Sequence, residues 1–195
     1  MHYEKMPDGK LHCLDDKLPF VIPDGWEWCN LSMIGTTNIG LTYHPTDISP
    51  DGVVVLRSCN ILNDQIDLND LVCVRTDIRE NQYVQKNDIL ICARNGSKAL
   101  VGKCALIPRF ERQTSFGAFM AIYRTKFYKF VLYYLRSNLF RNIFNDGNST
   151  TINQLTQDML KRAIIPFPPL AEQRRIVSKI DALISEINYI EKSLN

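Results

Sequence analysis

The chain has 195 residues, 45% apolar and 23% charged, a globular composition with room for one sizeable core and an appendage. That balance excludes a disordered chain; no apolar run approaches the roughly 20 residues a membrane helix needs, and the opening MHYEKMPDGKLHCLDDKLPF has no signal-peptide core, so the cytoplasm is the expected compartment. Net charge is only +2 but polarised: residues 1–92 carry 7 basic and 14 acidic side chains, residues 93–195 carry 16 and 7.

In chain order, residues 1–17 read as a polar lead-in with a turn at Pro7-Asp8-Gly9. Pro23-Asp24-Gly25 is a second turn, and Trp26-x-Trp28 opens a strand. DGVVVLRSCNIL (51–62) is a β-branched strand ending in polar Arg57, Ser58 and Asn60. LVCVR (71–75) is another strand. QKNDILICARNGS (85–97) reads as a turn, a buried strand and a polar glycine loop. ALVGKCALI (99–107) and AFMAIYRT (118–125) complete a mostly β first part.

The period then changes. Over 126–144, Phe127, Val131, Leu135 and Leu139 share one helical face, and Asp146-Gly147-Asn148 ends the helix. A hydroxyl-rich stretch follows, with Ser149, Thr150, Thr151 and Thr156, then a short helix or turn over 155–160. Ile164-Ile165 is a strand running into Pro166, Pro168 and Pro169. The last helix starts after the prolines with Glu172 in its first turn. Ile176, Ile180, Leu183, Ile187, Ile190 and Leu194 recur at spacings of 4, 3, 4, 3 and 4, a heptad seam. Under three heptads are marginal alone, so the seam calls for a partner helix; an amphipathic helix lying on its own domain is the alternative. The fold class expected is α+β: a mixed, β-rich domain with a few helices, followed by a coiled-coil helix.

The six cysteines, Cys13, Cys29, Cys59, Cys73, Cys92 and Cys104, sit mostly in apolar stretches without C-x-x-C pairs, and read as buried reduced thiols. No spacing suggests a metal site. From Arg94 to Arg141 there are ten basic residues against Glu111 alone, interleaved with Phe110, Phe116, Phe119, Tyr123, Tyr128, Tyr133 and Tyr134. A one-sign block of this length points to a polyanion, although the same aromatics would serve as core. Catalysis is not expected. In Pro-Phe-Pro-Pro-Leu, Phe167 stands where amino-methyltransferases carry the Asn or Asp that accepts the target amine's hydrogen bond, and no glycine-rich methyl-donor loop or nuclease carboxylate–lysine cluster is present.

Four motifs occur in order: Leu18-Pro-x-x-x-Pro-x-Gly-Trp26; Asp88-Ile-Leu-Ile-x-x-Arg94-x-Gly96-Ser97 with Val101-Gly102-Lys103; Gly147-Asn-Ser149-Thr150-Thr151-Ile-Asn153-x-Leu155; and Ile165-Pro-x-Pro-Pro-Leu-Ala-Glu172-Gln173-x-x-Ile176. Each is weak alone; together, ahead of a heptad helix, they resemble the specificity subunit of type I restriction-modification systems over about residues 18–195. The resemblance implies a lead-in (1–17), a target-recognition domain (18–165) and a conserved spacer helix (166–195). It implies that double-stranded DNA is bound at one half of a split site. It further implies a modification subunit that carries S-adenosylmethionine, a restriction subunit, and a second specificity half, or a second copy, joined through the coiled coil. A complete subunit of this kind has two such domains. One copy here suggests a fragment or a half-size subunit, and the likeness of Tyr3–Phe20 to the segment before a second recognition domain points to a C-terminal half.

Lys and Arg on phosphates would supply affinity, and polar side chains on base edges specificity. Arg94, Asn95, Gly96, Ser97 and Lys98 form the first candidate loop, because glycine permits close approach and the flanking residues suit guanine, adenine and phosphate. Arg57, Ser58 and Asn60 form a second. Ser149, Thr150, Thr151, Asn153 and Gln154 form a third, where turn and cap chemistry is an equal alternative. Lys103, Lys126, Lys129 and Arg136 are candidates for phosphate contacts. A protein-interaction module that dimerises through its helix, without DNA, is the competing reading.

Overall fold

Residues 89–92, Ile-Leu-Ile-Cys, are fully buried on both faces, and the fold is layered around them. The structure, a computed structural model, describes residues 18–142 and 154–194, with residues 3–5, 9 and 11–13 of the lead-in.

The first half is strand and turn: β1 (Tyr3–Lys5), β2 (Leu11–Cys13), β3 (Glu27–Asn30), the single-turn α1 (Leu31–Ile34), β4 (Thr36–Ile39), β5 (Ile48–Leu56), β6 (Ile61–Leu62), β7 (Gln65–Ile66), β8 (Val72–Val74) and β9 (Ile89–Cys92). The second half holds β10 (Cys104–Leu106), β11 (Thr114–Phe116), β12 (Met120–Arg124), α2 (Tyr128–Arg136), α3 (Asn138–Asn142), α4 (Gln157–Arg162), β13 (Ile164–Phe167) and α5 (Leu170–Leu194). The α+β expectation holds.

The central sheet has the order β10-β9-β12-β4 and is antiparallel throughout. Side chains alternate across a strand, so Ile89, Ile91 and Tyr123 face one way and Leu90, Cys92 and Ile122 the other. The first set packs with Val131, Leu135 and Phe140 of the helices. The second packs with Leu56, Ile61 and Phe116, from the side of a second sheet, β11-β5-β8. β9 therefore reads as a continuous apolar run. β13 pairs antiparallel with β3, and Ile165 sits opposite Cys29.

Several boundaries move for local reasons. The expected strand 51–62 is two strands split by a tight turn at Ser58–Asn60. The expected strand 99–107 narrows to β10, because residues 98–100 form another tight turn and Gly102 takes φ +82°. The helix expected over 126–144 breaks at Ser137. Its hydroxyl donates to the Tyr134 carbonyl (2.6 Å) and accepts from the Phe140 amide (3.4 Å), closing α2 and starting α3. Its end at Asp146-Gly147-Asn148 lies outside the described residues.

The proline motif has a structural meaning. Gln173 is 3% exposed and donates from Nε2 to the Pro168 carbonyl (2.9 Å), locking the start of α5 onto the proline turn. Phe167 packs edge-on against Phe127, with centroids 4.8 Å apart. Gln173, Val177 and Asp181 face α2. Lys129 Nζ meets Asp181 at 2.9 Å, and the Tyr133 hydroxyl donates to the same carboxylate. The heptad residues lie off this stripe. Ile176 and Ile180 are half-buried, while Leu183, Ile187, Ile190 and Leu194 are exposed.

Of the cysteines, Cys92 and Cys104 are buried and Cys29 and Cys73 half-buried, all four unpaired. Burial pushes the Cys29 and Cys104 thiols up to about 11, so both stay protonated. Cys59 corrects the expectation of buried thiols: it is unpaired but exposed, because it lies at the middle of the turn after β5 rather than in a strand. No described helix is long and apolar enough to cross a membrane.

Candidate nucleic-acid interface

Strand β9 leaves the sheet at Ala93 and delivers the Arg94–Lys98 loop to the surface. The loop is pinned on three sides. The amides of Ala93 and Arg94 both donate to the Phe119 carbonyl (2.9 and 3.0 Å). The Leu155 amide donates to the Ala93 carbonyl (2.7 Å), and Arg94 forms an antiparallel bridge with Gln154. Asn95 closes an Asx turn by accepting from the Ser97 amide (3.0 Å), and its Nδ2 donates to Ser58 Oγ (3.3 Å). The sequence-predicted Ser58, Arg94, Asn95, Ser97 and Gln154 thus meet on one surface, although up to 96 positions separate them. Arg94, Gly96, Ser97 and Lys98 are exposed. A Cβ at Gly96 would meet nothing within 4 Å, so the fold itself does not require glycine there.

Other predicted residues are held elsewhere. Asn60 is a correction: it is fully buried and builds the turn after β5. Its Oδ1 accepts from the Arg57 amide (2.9 Å), and its Nδ2 donates to the Asp67 (3.0 Å) and Asp70 (2.8 Å) carbonyls, leaving no group for a base. Arg57 borders the same surface but pairs with Asp70 at 2.9 Å. Arg136 points away, donating to the Asp64 (2.7 Å) and Cys104 (3.2 Å) carbonyls. Lys129 is engaged with Asp181, and Lys126 lies over the Phe127 ring at 5.0 Å, both at the α2–α5 junction. Lys103 is half-buried at the entry to β10. Ser149, Thr150, Thr151 and Asn153 lie outside the described residues. Thr156 does serve as a cap, accepting from the Met159 amide (3.1 Å) at the start of α4.

Phe119, one of the aromatics interleaved with the basic block, joins this surface rather than the core. It is 61% exposed, and Arg94 lies 5.6 Å above its ring. Two hollows of about 550 and 350 Å³ flank it. The available signal was Gly117-Ala118, a turn that delays β12 to Met120 and leaves Phe119 outside the sheet. Among the described residues no three His, Cys, Asp or Glu side chains gather as a metal site.

The family model described as "Type I restriction modification DNA specificity domain" matches residues 23–195. This chain belongs to that family. It is 32% identical over 176 residues to the EcoKI specificity subunit of Escherichia coli K12, covering 86% of this chain and 38% of that protein. It is 31% identical over 182 residues to the StySPI specificity subunit of Salmonella potsdam, covering 89% and 39%. The chain thus spans under half the length of these relatives. The fold resembles the HsdS subunit of Thermoanaerobacter tengcongensis, with a TM-score of 0.67, 19% identity, and coverage of 90% of this chain and 41% of that one. It also resembles a chain from a type I R-M system, with a TM-score of 0.70, 21% identity, and coverage of 92% and 44%. Two of the ordered motifs differ in structure: Pro-Pro-Leu-x-Glu-Gln sets the start of α5, whereas Arg94, Gly96 and Ser97 lie exposed in a surface loop.

Proposed function

We propose that this chain recognises one half of a bipartite double-stranded DNA site for a type I restriction-modification assembly. Residues 18–165 act as the reader and residues 166–195 as the spacer helix. The observation that carries this is the convergence of Arg94, Ser97, Lys98, Ser58 and Gln154 on one exposed surface of a chain from this family. Arg94 and Lys98 supply positive charge, and Ser97 and Gln154 hydrogen-bonding groups, the two contact classes sequence reading needs. The chain has no chemistry of its own in this reading. Its partners are a modification subunit, which carries S-adenosylmethionine and methylates, and a restriction subunit, which cleaves. The exposed seam from Leu183 to Leu194 takes a second helix, from another specificity half or from a second copy.

The test is selection of random duplexes by the chain at two salt concentrations. Enrichment of a short motif, with affinity falling steeply as salt rises, is the expected result. No binding even at low salt overturns the reading in favour of a protein-interaction module.

A further inference from the structure

Phe119 is exposed, and its backbone is pinned. Its carbonyl is gripped by two amides of the Arg94 loop. Its neighbours are tied as well, since the Met120 amide donates to the Gly117 carbonyl (2.8 Å) and the Gly117 amide to the Leu56 carbonyl (2.9 Å). The backbone thus holds a largely exposed ring at a fixed place on the surface. Thr42 and Ala118 join it in a ridge that lines both hollows; Tyr43 and Ser58 lie on one side, Gln154 and Leu155 on the other. The guanidinium above the ring makes a cation–π contact, and among the described residues it forms no ion pair.

In the major groove of a duplex the distinctive apolar group is the thymine 5-methyl, while guanine offers N7 and O6 to an arginine fork. An arginine resting on an exposed phenyl ring presents both complements side by side. We infer that Phe119 is a specificity-determining residue whose ring packs on the 5-methyl group of a thymine, and that it holds Arg94 over the neighbouring base pair. This rests on the proposed DNA reading and names what one part of that surface reads.

The experiment uses the full chain and the duplex motif enriched from the random pool. Each thymine is replaced in turn by deoxyuridine, which removes the methyl group and leaves base pairing intact. At one position affinity falls about fourfold, the worth of one buried methyl group. Phe119→Ala binds the thymine and uracil duplexes equally at that position, and Phe119→Leu keeps part of the difference. The salt slope does not change in either variant, because no phosphate contact is lost. The uracil series on the unaltered chain needs no variant to fold. Three results overturn the inference while leaving DNA recognition standing: every uracil substitution is neutral, uracil sensitivity persists in Phe119→Ala, or the enriched motif contains no thymine on either strand. Failure to enrich any motif overturns the inference, and absence of binding even at low salt overturns DNA recognition as well.

Discussion

Asp88 is 1% exposed and grips Arg124 through both carboxylate oxygens, at 2.7 Å from Nε and 2.7 Å from Nη2, while also accepting from the Gln85 amide (2.7 Å). The paired carboxylate holds the Arg124 guanidinium above its ordinary range. Asp88 is buried while Arg124 keeps partial access to water, so Asp88→Ala should cost about 2–3 kcal/mol in chemical denaturation, the worth of its charged hydrogen bonds. Asn60→Ala should cost about 1–3 kcal/mol by the same assay, because it leaves the Asp67 and Asp70 carbonyls without their donor. A folded preparation of either variant should enrich the same DNA motif as the unaltered chain. These residues mark the limit of reading sites from residue type. An amide that suits adenine also suits a turn, and Asn60 and Asn95 occur in equally polar stretches; only the fold shows that the first is buried and the second lies at the surface. Phe119 shows the converse, since an aromatic within a basic block suits nucleic acid and core alike until the turn before Met120 is placed.

At the scale of elements, the attachment of α5 turns on Asp181. The Tyr133 hydroxyl and then the Lys129 ammonium hold its carboxyl below the usual range. Burial, and then the hydrogen bond to Asp181, push Tyr133 up to about 12, keeping it a neutral donor. A group whose pKa is depressed on folding adds stability above its unfolded pKa, near 4, and loses it as pH falls through the lower folded value. The clamp is therefore complete at neutral pH and released in acid. Asp181→Asn should lower the Tm at pH 7, and the gap from the unaltered chain should narrow as the pH falls below the ordinary carboxylate range. An unchanged gap at low pH would mean that the carboxylate charge is not what holds the helix. The heptad was legible in the sequence because its period is strict. The second stripe of α5, Gln173, Val177 and Asp181, was not, because it mixes polar and apolar groups and has meaning only against α2. The buried β9 was legible from its apolar run, while the break at Ser137 was hidden inside an unbroken helical period.

For the whole molecule, the polarised charge and the unpaired seam carry the argument. The basic block foretold a cationic half, but Arg124 and Lys129 neutralise acids within the chain, and Arg136 is spent on carbonyls and lies 3.8 Å from Asp64. The block is thus a poorer guide to the DNA surface than the few cations that remain at the Arg94 loop. The seam is different, because nothing among the described residues covers its far half: Leu183 and Ile187 are 45% and 54% exposed, and Ile190 and Leu194 are 54% and 80% exposed. The domain's own grip on α5 uses the other stripe, so a seam substitution separates pairing from folding. Ile187→Lys should leave the thermal unfolding of the domain within about 0.5 kcal/mol of the unaltered chain, as for a surface change. In sedimentation, the unaltered chain should form a dimer whose fraction grows with concentration, because two seams bury each other's apolar residues. Ile187→Lys should remain a monomer, since pairing would bury its ammonium. A dimer that survives the lysine would place the contact elsewhere. An unaltered chain that stays monomeric at every concentration would remove self-pairing and leave a distinct specificity half as the helix's mate.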